Sequence, residues 1–448
     1  MRRIVIAPII AVALLCLVGL LLIGAPQSAL AAPVPASALA PSSNVYTAYV
    51  PLVMADFNPG TAPEVYPNDP YLDQTWGLEI VGAPKAWGIT CGSSSVVIAV
   101  LDSGVDLDHP DLSSKLETEM DWDFVNGDDV ADDDHGHGTH VSGIAAAATD
   151  NGVGVPSLGW DVSILPVKVL NADGVGNASA LADAIRYAAD HGADVVNMSL
   201  GGAAPCPYYL QEAVDYAYGR GVLLVAAAGN NQGNTENFPA NCEHVLGVSA
   251  TDSSDSVASY SNYGDHVDVA APGTLIYSTV MGGEYGYKSG TSMATPHVAG
   301  LAALIASRYP SYTPDQLASA LLDNAVDLGS PGWDMYAGCG RIDAYQSLLQ
   351  GTHGSSPRCL AGTAGWTTDS AEAPPAAPFA PGEVIVSFRP GGMAAQTVLQ
   401  YGRDAQFLPA LRAWRLQVSP GEERTALAQL RADPTVAYAD LNYLVFGD

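Results

Sequence analysis

The chain has 448 residues, 48% of them hydrophobic, and a formal net charge of −30 at pH 7. This hydrophobic content excludes a disordered chain, and the length exceeds one average domain of about 150 residues, so we expect a large α/β unit with a smaller satellite. The negative charge would repel phosphate backbones and anionic membrane surfaces, which argues against nucleic-acid binding. Acidic clusters such as DWDFVNGDDVADDD indicate either binding of hard cations or simply the solubility of an extracellular protein.

The N-terminus has the organisation of a secretory signal peptide. It begins MRR, continues through the apolar stretch Ile4 to Gly24, and offers the small-residue pattern ALA before Ala32. We therefore predict a signal peptide over residues 1–31 and a secreted, extracellular protein with no membrane attachment after cleavage. The apolar stretch is about as long as a membrane span, so an uncleaved anchor is the alternative.

The next segments predict a spacer and then an α/β domain. Residues 32–66 are rich in Ala, Pro, Ser and Thr, a composition typical of a spacer. Apolar runs then alternate with helical patterns: VVIAVLDSG, VSILPVKVL, ADVVNMSLGG and VLLVAAAGN, with ASALADAIRYAADHG and YYLQEAVDYAYGRG between the later ones. Such alternation predicts a mostly parallel sheet covered on both faces, here over residues 67–350. Functional side chains of such folds lie beyond the carboxyl ends of the strands.

An acid, an imidazole and a hydroxyl occur at boundaries of these elements. Asp102 ends the first strand in VLDSGVDLDHPDL, His137 lies in HGHGTHVSG at the start of a small-residue helix, and Ser292 lies in SGTSMATPHVAG at the start of another. A serine becomes a good nucleophile only when a base lies within hydrogen-bond reach and a third group orients that base. Asn230 lies near the end of VAAAGNN, where its amide and the backbone N–H of Ser292 could donate to a tetrahedral oxyanion.

The three histidines of DDDHGHGTH, beside an acidic triplet, permit a second interpretation as a transition-metal site. That interpretation leaves the motifs of Asp102 and Ser292 unexplained. Of the other histidines in these motifs, we expect His140 and His297 to be packed structural residues and His109 to lie at the surface.

The order Asp, His, Ser and the three local signatures resemble the subtilisin-like serine peptidases, the subtilases. The resemblance extends from about Pro67 to Leu349 and implies a subtilisin-like three-layer α/β fold with serine endopeptidase activity. The roles that it implies are Asp102 as the orienting acid, His137 as the general base, Ser292 as the nucleophile and Asn230 as the oxyanion donor. A catalytically silent subtilase fold that serves as an adhesion or binding module is the alternative function.

The same resemblance implies how protein or peptide substrates bind to what we expect to be a monomer. The stretch SLGG is similar to the family's substrate-binding edge strand, which pairs with an extended peptide. The run before Asn230 resembles the other wall of the S1 pocket. The implied substrate-binding residues are Ser199, Leu200, Gly201, Ala228 and Gly229.

Calcium is the cofactor that the resemblance implies. In the family, one structural ion joins an N-terminal carboxylate, the acid of the HPDL stretch, and a loop that supplies an amide and carbonyls, a set of hard oxygens that suits Ca²⁺ better than Mg²⁺. The matching positions are the side chains of Asp69, Asp111 and Asn151 and the main-chain oxygens of Thr149, Val153 and Val155. A second, weaker set is Asp123, Asp128 and Asp132, where Asn126 stands in place of a carboxylate found in the family. A solvated acidic loop is the alternative for this second set.

Export would place the cysteines in an oxidising compartment. Cys206 follows SLGG and Cys242 follows the loop of the implied oxyanion donor, so both are expected near the substrate cleft, and we predict a disulfide between them. Cys339 and Cys359 form a second candidate pair. That pairing would leave Cys91 free.

The tail predicts a separate small domain after a Pro/Ala-rich linker over residues 351–380. EVIVSFRP predicts a strand, MAAQTVLQYGRD a helix, AQFLPALRAWRLQVS a strand pair, EERTALAQLRADP a helix and TVAYADLNYLVF a strand, which is a βαββαβ ferredoxin-like order. Its PGEVIV opening and VAYADLNY ending resemble the prodomain of subtilases, although here the module follows the enzyme. The resemblance implies that residues 381–448 assist folding or inhibit in cis, with Leu444 to Asp448 directed toward the substrate strand at Ser199. A satellite domain docked elsewhere or acting in trans is the alternative.

Overall fold

The computed structural model describes residues 62–352, 377–389, 402 and 404–447. The predicted signal peptide, most of the predicted spacer and linker, and the predicted first helix of the tail lie outside these residues. Within the part of the chain that the structure describes, no helix has both the length and the apolar character needed to span a membrane.

The larger unit is built around a seven-stranded sheet. Its described strands are β1 (Val97–Asp102), β2 (Trp122–Asp123), β3 (Ser163–Lys168), β4 (Val175–Asn177), β5 (Val195–Met198), β6 (Leu200–Gly201), β7 (Leu223–Ala227), β8 (Val245–Thr251), β9 (Val269–Pro272), β10 (Ile276–Val280) and β11 (Glu284–Lys288). Seven of them pair in the order β2-β3-β1-β5-β7-β8-β9, with every pairing parallel. The predicted mostly parallel α/β sheet is thus confirmed, and its central strands are buried on both faces, as continuous apolar runs require.

Helices cover both faces of this sheet and make a three-layer fold. They are α1 (Trp76–Ile80), α2 (Ala83–Trp87), α3 (His137–Ala146), α4 (Ala178–Asp190), α5 (Tyr208–Tyr218), α6 (Thr291–Arg308), α7 (Pro314–Leu322) and α8 (Ala344–Gln350). On one face, α3 and α6 pack in a core that contains Ile98 and Val100 of β1. On the other face, α4 and α5 pack in a core that contains Ala99 and Leu101. Alternate side chains of β1 therefore pack into two separate hydrophobic cores, one on each face of the sheet.

The tail forms a small antiparallel sheet with one helix described. Its elements are β12 (Phe379–Phe388), β13 (Asp404–Leu408), β14 (Ala413–Gln417), α9 (Glu423–Ala432) and β15 (Val436–Gly447), and the sheet order is β13-β14-β12-β15. The described strands and α9 follow the predicted order. β12 begins two residues inside the predicted linker because Phe379 already pairs with Tyr443. We call residues 377–447 of this unit the C-terminal module.

The last strand of the C-terminal module leaves its own sheet and joins the larger unit. β15 pairs antiparallel with β4, with Leu444 opposite Asn177, and also with β6, with Phe446 opposite Gly201. One face of the module's sheet, including Ile385, shares a hydrophobic core with α4 and α5. The module is thus attached both by strand pairing and by apolar packing.

Polar contacts of β15 reach the first turns of the two helices beneath it. The Asn442 side-chain oxygen accepts a hydrogen bond of 3.2 Å from Ser179 N at the start of α4. The Asp440 carboxylate accepts one of 3.4 Å from Tyr208 N at the start of α5. Helix N-termini have unsatisfied N–H groups and favour negative charge, so both acceptors suit their positions.

Candidate active site

Asp102 and His137 meet at the carboxyl end of β1. The imidazole Nδ1 lies 2.7 Å from Asp102 Oδ1, and both side chains are fully buried. Ser103 N also donates to Asp102 Oδ1, at 2.7 Å. An Nδ1–H bonded to a carboxylate leaves Nε2 as the basic nitrogen of the ring. The pair therefore has the geometry expected of an oriented general base.

Ser292 is the second residue of α6, where the helix N-terminus favours negative charge nearby. Its Oγ donates to the carbonyl of Ser199 at 3.0 Å, while His137 Nε2 has no hydrogen-bond partner among the described residues. The hydroxyl thus faces β6 in this conformer rather than the imidazole. Catalytic hydrogen bonds commonly tighten only with substrate bound, so we expect the serine–imidazole contact in the substrate complex.

Asn230 is held by the residue that precedes Ser292. Its Oδ1 accepts hydrogen bonds from Thr291 N at 2.9 Å and Thr291 Oγ1 at 3.1 Å. Gly229 N in turn donates to Thr291 Oγ1 at 3.0 Å. Anchoring the amide by its oxygen directs its N–H donors away from Thr291. This orientation is compatible with the predicted role of an oxyanion donor.

The predicted substrate-binding residues lie at the carboxyl ends of two neighbouring strands of the sheet, β5 and β7. Ser199 and the strand β6 follow β5, and Ala228 and Gly229 follow β7. A Cβ added at Gly201 would lie 2.3 Å from Asn237 Nδ2, and one at Gly229 would lie 3.3 Å from the same atom. The Asn237 amide therefore lies close to both segments and donates to Ala227 O at 3.1 Å, and sequence reasoning missed it because no motif flanks it.

The end of β15 lies in a groove between β4 and β6 and pairs with both strands. Gly447 N donates to Gly174 O at 3.0 Å. A Cβ added at Gly447 would be 2.6 Å from Leu170 Cδ1 and 3.2 Å from His137 Nδ1, so the strand passes directly beside the predicted base. The described part of the predicted Leu444 to Asp448 segment thus pairs with the strand that follows Ser199, and Asp448 itself lies outside the described residues.

The side chains of the first predicted calcium set come together. Asp69 accepts hydrogen bonds from Asp150 N at 2.9 Å and Asn151 N at 3.2 Å, and Asp111 accepts from Asn151 Nδ2 at 2.8 Å and Val155 N at 2.9 Å. Burial is the main cause that raises the pKa of Asp69, and it raises that of Asp111 to about 6.

The surroundings of these two carboxylates fit a cation. Both are buried, and no ion pair among the described residues involves either of them. The charge of Asp69 further raises the pKa of Asp111. Within the described chain, no backbone N–H donates a hydrogen bond to the carbonyls of Thr149, Val153 and Val155 in the adjoining loop. A divalent cation would neutralise the two acids and use these oxygens.

The second predicted set is only partly assembled. Asp123 and Asp128 face each other in a β-bridge, but the Asp123 carboxylate accepts hydrogen bonds from Val125 N, Asn126 N and Asn126 Nδ2 at 2.6 to 2.9 Å. Asp132 pairs with Val105 in another β-bridge, and its carboxylate accepts a hydrogen bond of 3.4 Å from Leu107 N. Among the described residues, the three carboxylates do not form a group arranged to hold a metal ion.

His140 and His297 are packed structural residues, as expected. His140 Nε2 lies 3.1 Å from Gly286 O and burial lowers its pKa to about 3, while His297 Nδ1 lies 2.9 Å from Met293 O and burial lowers its pKa to about 4. The expectation that His109 lies at the surface is wrong, because it is fully buried against the β10–β11 hairpin, 3.1 Å from the Glu284 carbonyl. No group of three or more His, Cys, Asp or Glu in the described ranges is arranged as a metal site.

A disulfide joins Cys206 and Cys242 beside the groove, with their Cα atoms 5.2 Å apart. Cys339 is also disulfide-bonded, and its predicted partner, Cys359, lies outside the described residues. Among the described cysteines, Cys91 is a free, half-buried thiol.

Comparisons with known proteins separate the chain into two matched regions. The model of the subtilase family matches residues 93–340, and the model of the fervidolysin N-terminal prodomain matches residues 367–442. Thermitase from Thermoactinomyces vulgaris is 44% identical over 283 residues, which are 63% of this chain and 99% of thermitase. A thermophilic serine proteinase from Bacillus sp. (strain AK1) is 45% identical over 286 residues, 63% of this chain and 69% of that protein. A solved structure titled as proteases from Pseudoalteromonas arctica PAMC 21717 is 34% identical with a TM-score of 0.60, covering 64% of this chain and all of that one.

Proposed function

Because this chain belongs to the subtilase family and is a subtilisin-type serine endopeptidase, we propose that Asp102, His137 and Ser292 form its catalytic triad and that its own C-terminal strand occupies the substrate groove in cis. The observation that carries this proposal is the pairing of β15 with β4 and β6 beside His137. An extended peptide substrate would take the same place and make the same backbone hydrogen bonds.

In the proposed reaction, Ser292 rotates from the Ser199 carbonyl and gives its proton to His137 Nε2 as its Oγ attacks the scissile carbonyl. Asp102 holds the imidazole through Nδ1 and stabilises the imidazolium that forms. The developing oxyanion accepts hydrogen bonds from Asn230 Nδ2 and Ser292 N, and loss of one such donor typically costs about 10²- to 10³-fold in kcat. The imidazolium then protonates the leaving amine, and water releases the acyl enzyme.

The position of β15 between β4 and β6 supports inhibition in cis. Residues Leu444 to Gly447 use the backbone groups of β4 and β6 that a substrate needs, so substrate and strand exclude each other. The linker makes this an intramolecular competition, with an effective concentration of about millimolar for the strand. A modest intrinsic affinity is then enough to keep the enzyme latent. The prodomain match over residues 367–442 supports a further role in assisting folding.

We also propose that the protein is secreted as a monomeric zymogen after removal of residues 1–31 and acts on protein or peptide substrates. Structural calcium would be held by Asp69, Asp111 and Asn151 with the carbonyls of residues 149, 153 and 155. The ion would neutralise two buried acids and join the N-terminal segment to the loop around Asn151. It takes no part in the peptide-bond chemistry.

A fluorophosphonate probe tests the triad and the latency together. The full chain should label slowly at Ser292, and cleavage within residues 353–376 followed by removal of the C-terminal module should accelerate labelling. Ser292→Ala should abolish it in both forms. Absence of labelling after removal of the module would support a catalytically silent subtilase fold. Equal labelling rates with and without the module would refute inhibition in cis.

The folding role requires a separate experiment. The chain ending after Leu349 is refolded with and without a separate fragment of residues 381–448, and active sites are titrated. If the fragment neither raises the yield of active enzyme nor inhibits it, the prodomain role is wrong.

A further inference from the structure

Asp133 belongs to the acidic loop before His137, and the structure shows that it is not a solvated side chain. Its carboxylate is buried and accepts five hydrogen bonds. Oδ1 accepts from Ser103 Oγ at 2.8 Å, His135 N at 3.0 Å and Gly136 N at 2.8 Å. Oδ2 accepts from the backbone N and the hydroxyl of Thr139. Five donors on one buried carboxylate make it the centre of a hydrogen-bond network.

One side of this network reaches the predicted acid. Ser103, which donates to Asp133, immediately follows Asp102, and its own backbone N donates to Asp102 Oδ1 at 2.7 Å. Ser103 Oγ also accepts a hydrogen bond of 2.9 Å from Gly138 N, the residue after the predicted base. The loop that follows β1 is therefore joined to the first turn of α3 through the hydroxyl of Ser103, and Asp106 N adds a second link by donating to Thr139 Oγ1 at 2.9 Å.

The other side of the network fixes the start of α3. Gly136, at the N-cap, has φ of 89° and no side chain with which to cap the helix. Asp133 supplies the missing acceptor by taking the N–H groups of Gly136 and Thr139. Its negative charge also lies at the positive end of the helix dipole. Because α3 begins with His137, the same carboxylate sets the position of the predicted base.

Asp133 has no ion-pair partner among the described residues, and the nearby Lys168 pairs with Asp134 instead. The hydrogen-bond donors of the loop after β1 and of the start of α3 therefore stabilise the Asp133 carboxylate in place of a cation. An amide of the same shape cannot replace it, because its NH₂ group would face either the donors on the Oδ1 side or Thr139 N on the Oδ2 side.

We propose that Asp133 is a positioning residue for the reaction, one that holds the loop of Asp102 and the helix of His137 as one unit and thereby maintains their hydrogen bond. This inference rests on the proposed triad. A displacement of the base by about 1 Å can cost on the order of 10²-fold in rate. Loss of this network should therefore lower kcat and leave substrate binding in the groove unchanged.

The test compares Asp133→Asn with Asp129→Asn after cleavage within residues 353–376 and removal of the C-terminal module, with rates divided by the titrated number of active sites. Asp133→Asn should lower kcat by about ten- to hundredfold with KM within twofold of the parent. It should also shift or broaden the low-field proton resonance of the Asp102–His137 hydrogen bond. Asp129→Asn, the same change of charge at an exposed residue of the same acidic loop, should alter neither quantity.

A second variant removes the same link from its other end. Ser103→Ala should also lower kcat, and the double variant with Asp133→Asn should lose less than the product of the two single losses, since residues in one network are coupled. A kcat within twofold of the parent in Asp133→Asn, or independent losses in the double variant, would overturn the proposal. Labelling of Ser292 in the parent distinguishes these outcomes from failure of the triad assignment itself.

Discussion

Replacing Val445 by Ala tests how the C-terminal module is held in the groove. Val445 is fully buried in β15, opposite Gly176 of β4, and belongs to the core formed with α4 and α5. Loss of its two γ-methyl groups forfeits about 1.6 kcal/mol at about 0.8 kcal/mol per carbon, and the remaining cavity raises the total to about 2 kcal/mol. Docking should weaken by about 30-fold.

Amide hydrogen exchange measures this change in a Ser292→Ala background, which prevents self-cleavage. The amides of β15 from residue 444 to residue 447 and those of β4 should exchange about 30-fold faster in Val445→Ala. The matched control is Val436→Ala, the same substitution on the same strand but in the module's own core. That variant should accelerate exchange in the module's own sheet without a preferential effect at the groove. Groove exchange within twofold of the parent in Val445→Ala would refute docking by side-chain burial.

Three further predictions concern pH, calcium and the disulfide. Burial raises the pKa of Asp183 to about 6, although the positive charges of Arg186 and Arg415 oppose this rise. Docking of the C-terminal module should therefore take up a proton, and its affinity should fall as the pH rises toward 6. Asp183→Asn, always neutral, should therefore label with a fluorophosphonate more slowly than the parent at pH 7, and equal rates would count against the linkage. Excess chelator should lower the melting temperature by several degrees, because an ion at a hundredfold excess over its Kd contributes about 2.7 kcal/mol, whereas Asp111→Asn should not respond. An unchanged melting curve of the parent would refute the proposed calcium site. Replacing Cys206 and Cys242 together by Ser should cost about 2 to 4 kcal/mol for a bond across 36 positions, and no loss relative to Cys91→Ser would contradict this estimate.

Predictions that depended on short motifs agree with the structure better than those that depended on distant partners. Asp102 and His137 each lie at the boundary of one element, and their motifs predicted both positions. Asp133 could not be singled out from its acidic neighbours because its central donor, Ser103, lies 30 positions away. Its hydrogen bonds appear only when the loop after β1 meets the start of α3.

The same reason explains the error at His109 and the unpredicted strand β4. His109 is buried by a hairpin whose contacting carbonyl, at Glu284, is 175 positions later. The sequence of β4, Val-Gly-Asn, has little strand propensity of its own. It forms a strand where β15 supplies a partner. Burial and pairing of this kind depend on tertiary contacts that local pattern does not contain.

The contact between Ser179 N and Asn442 Oδ1 joins residues 263 positions apart, which has a consequence for the order in which the molecule is assembled. A chain is synthesised from its N-terminus and its domains fold as they emerge, at roughly 5–20 residues per second. The residues that form the groove have therefore all been synthesised before the strand that fills it. In a chain with the blocking module at the front, the module would be present when the groove first formed. Here β15 is synthesised after β4 and β6, so under the proposed inhibition in cis the strand docks on a groove whose residues are already present in the nascent chain.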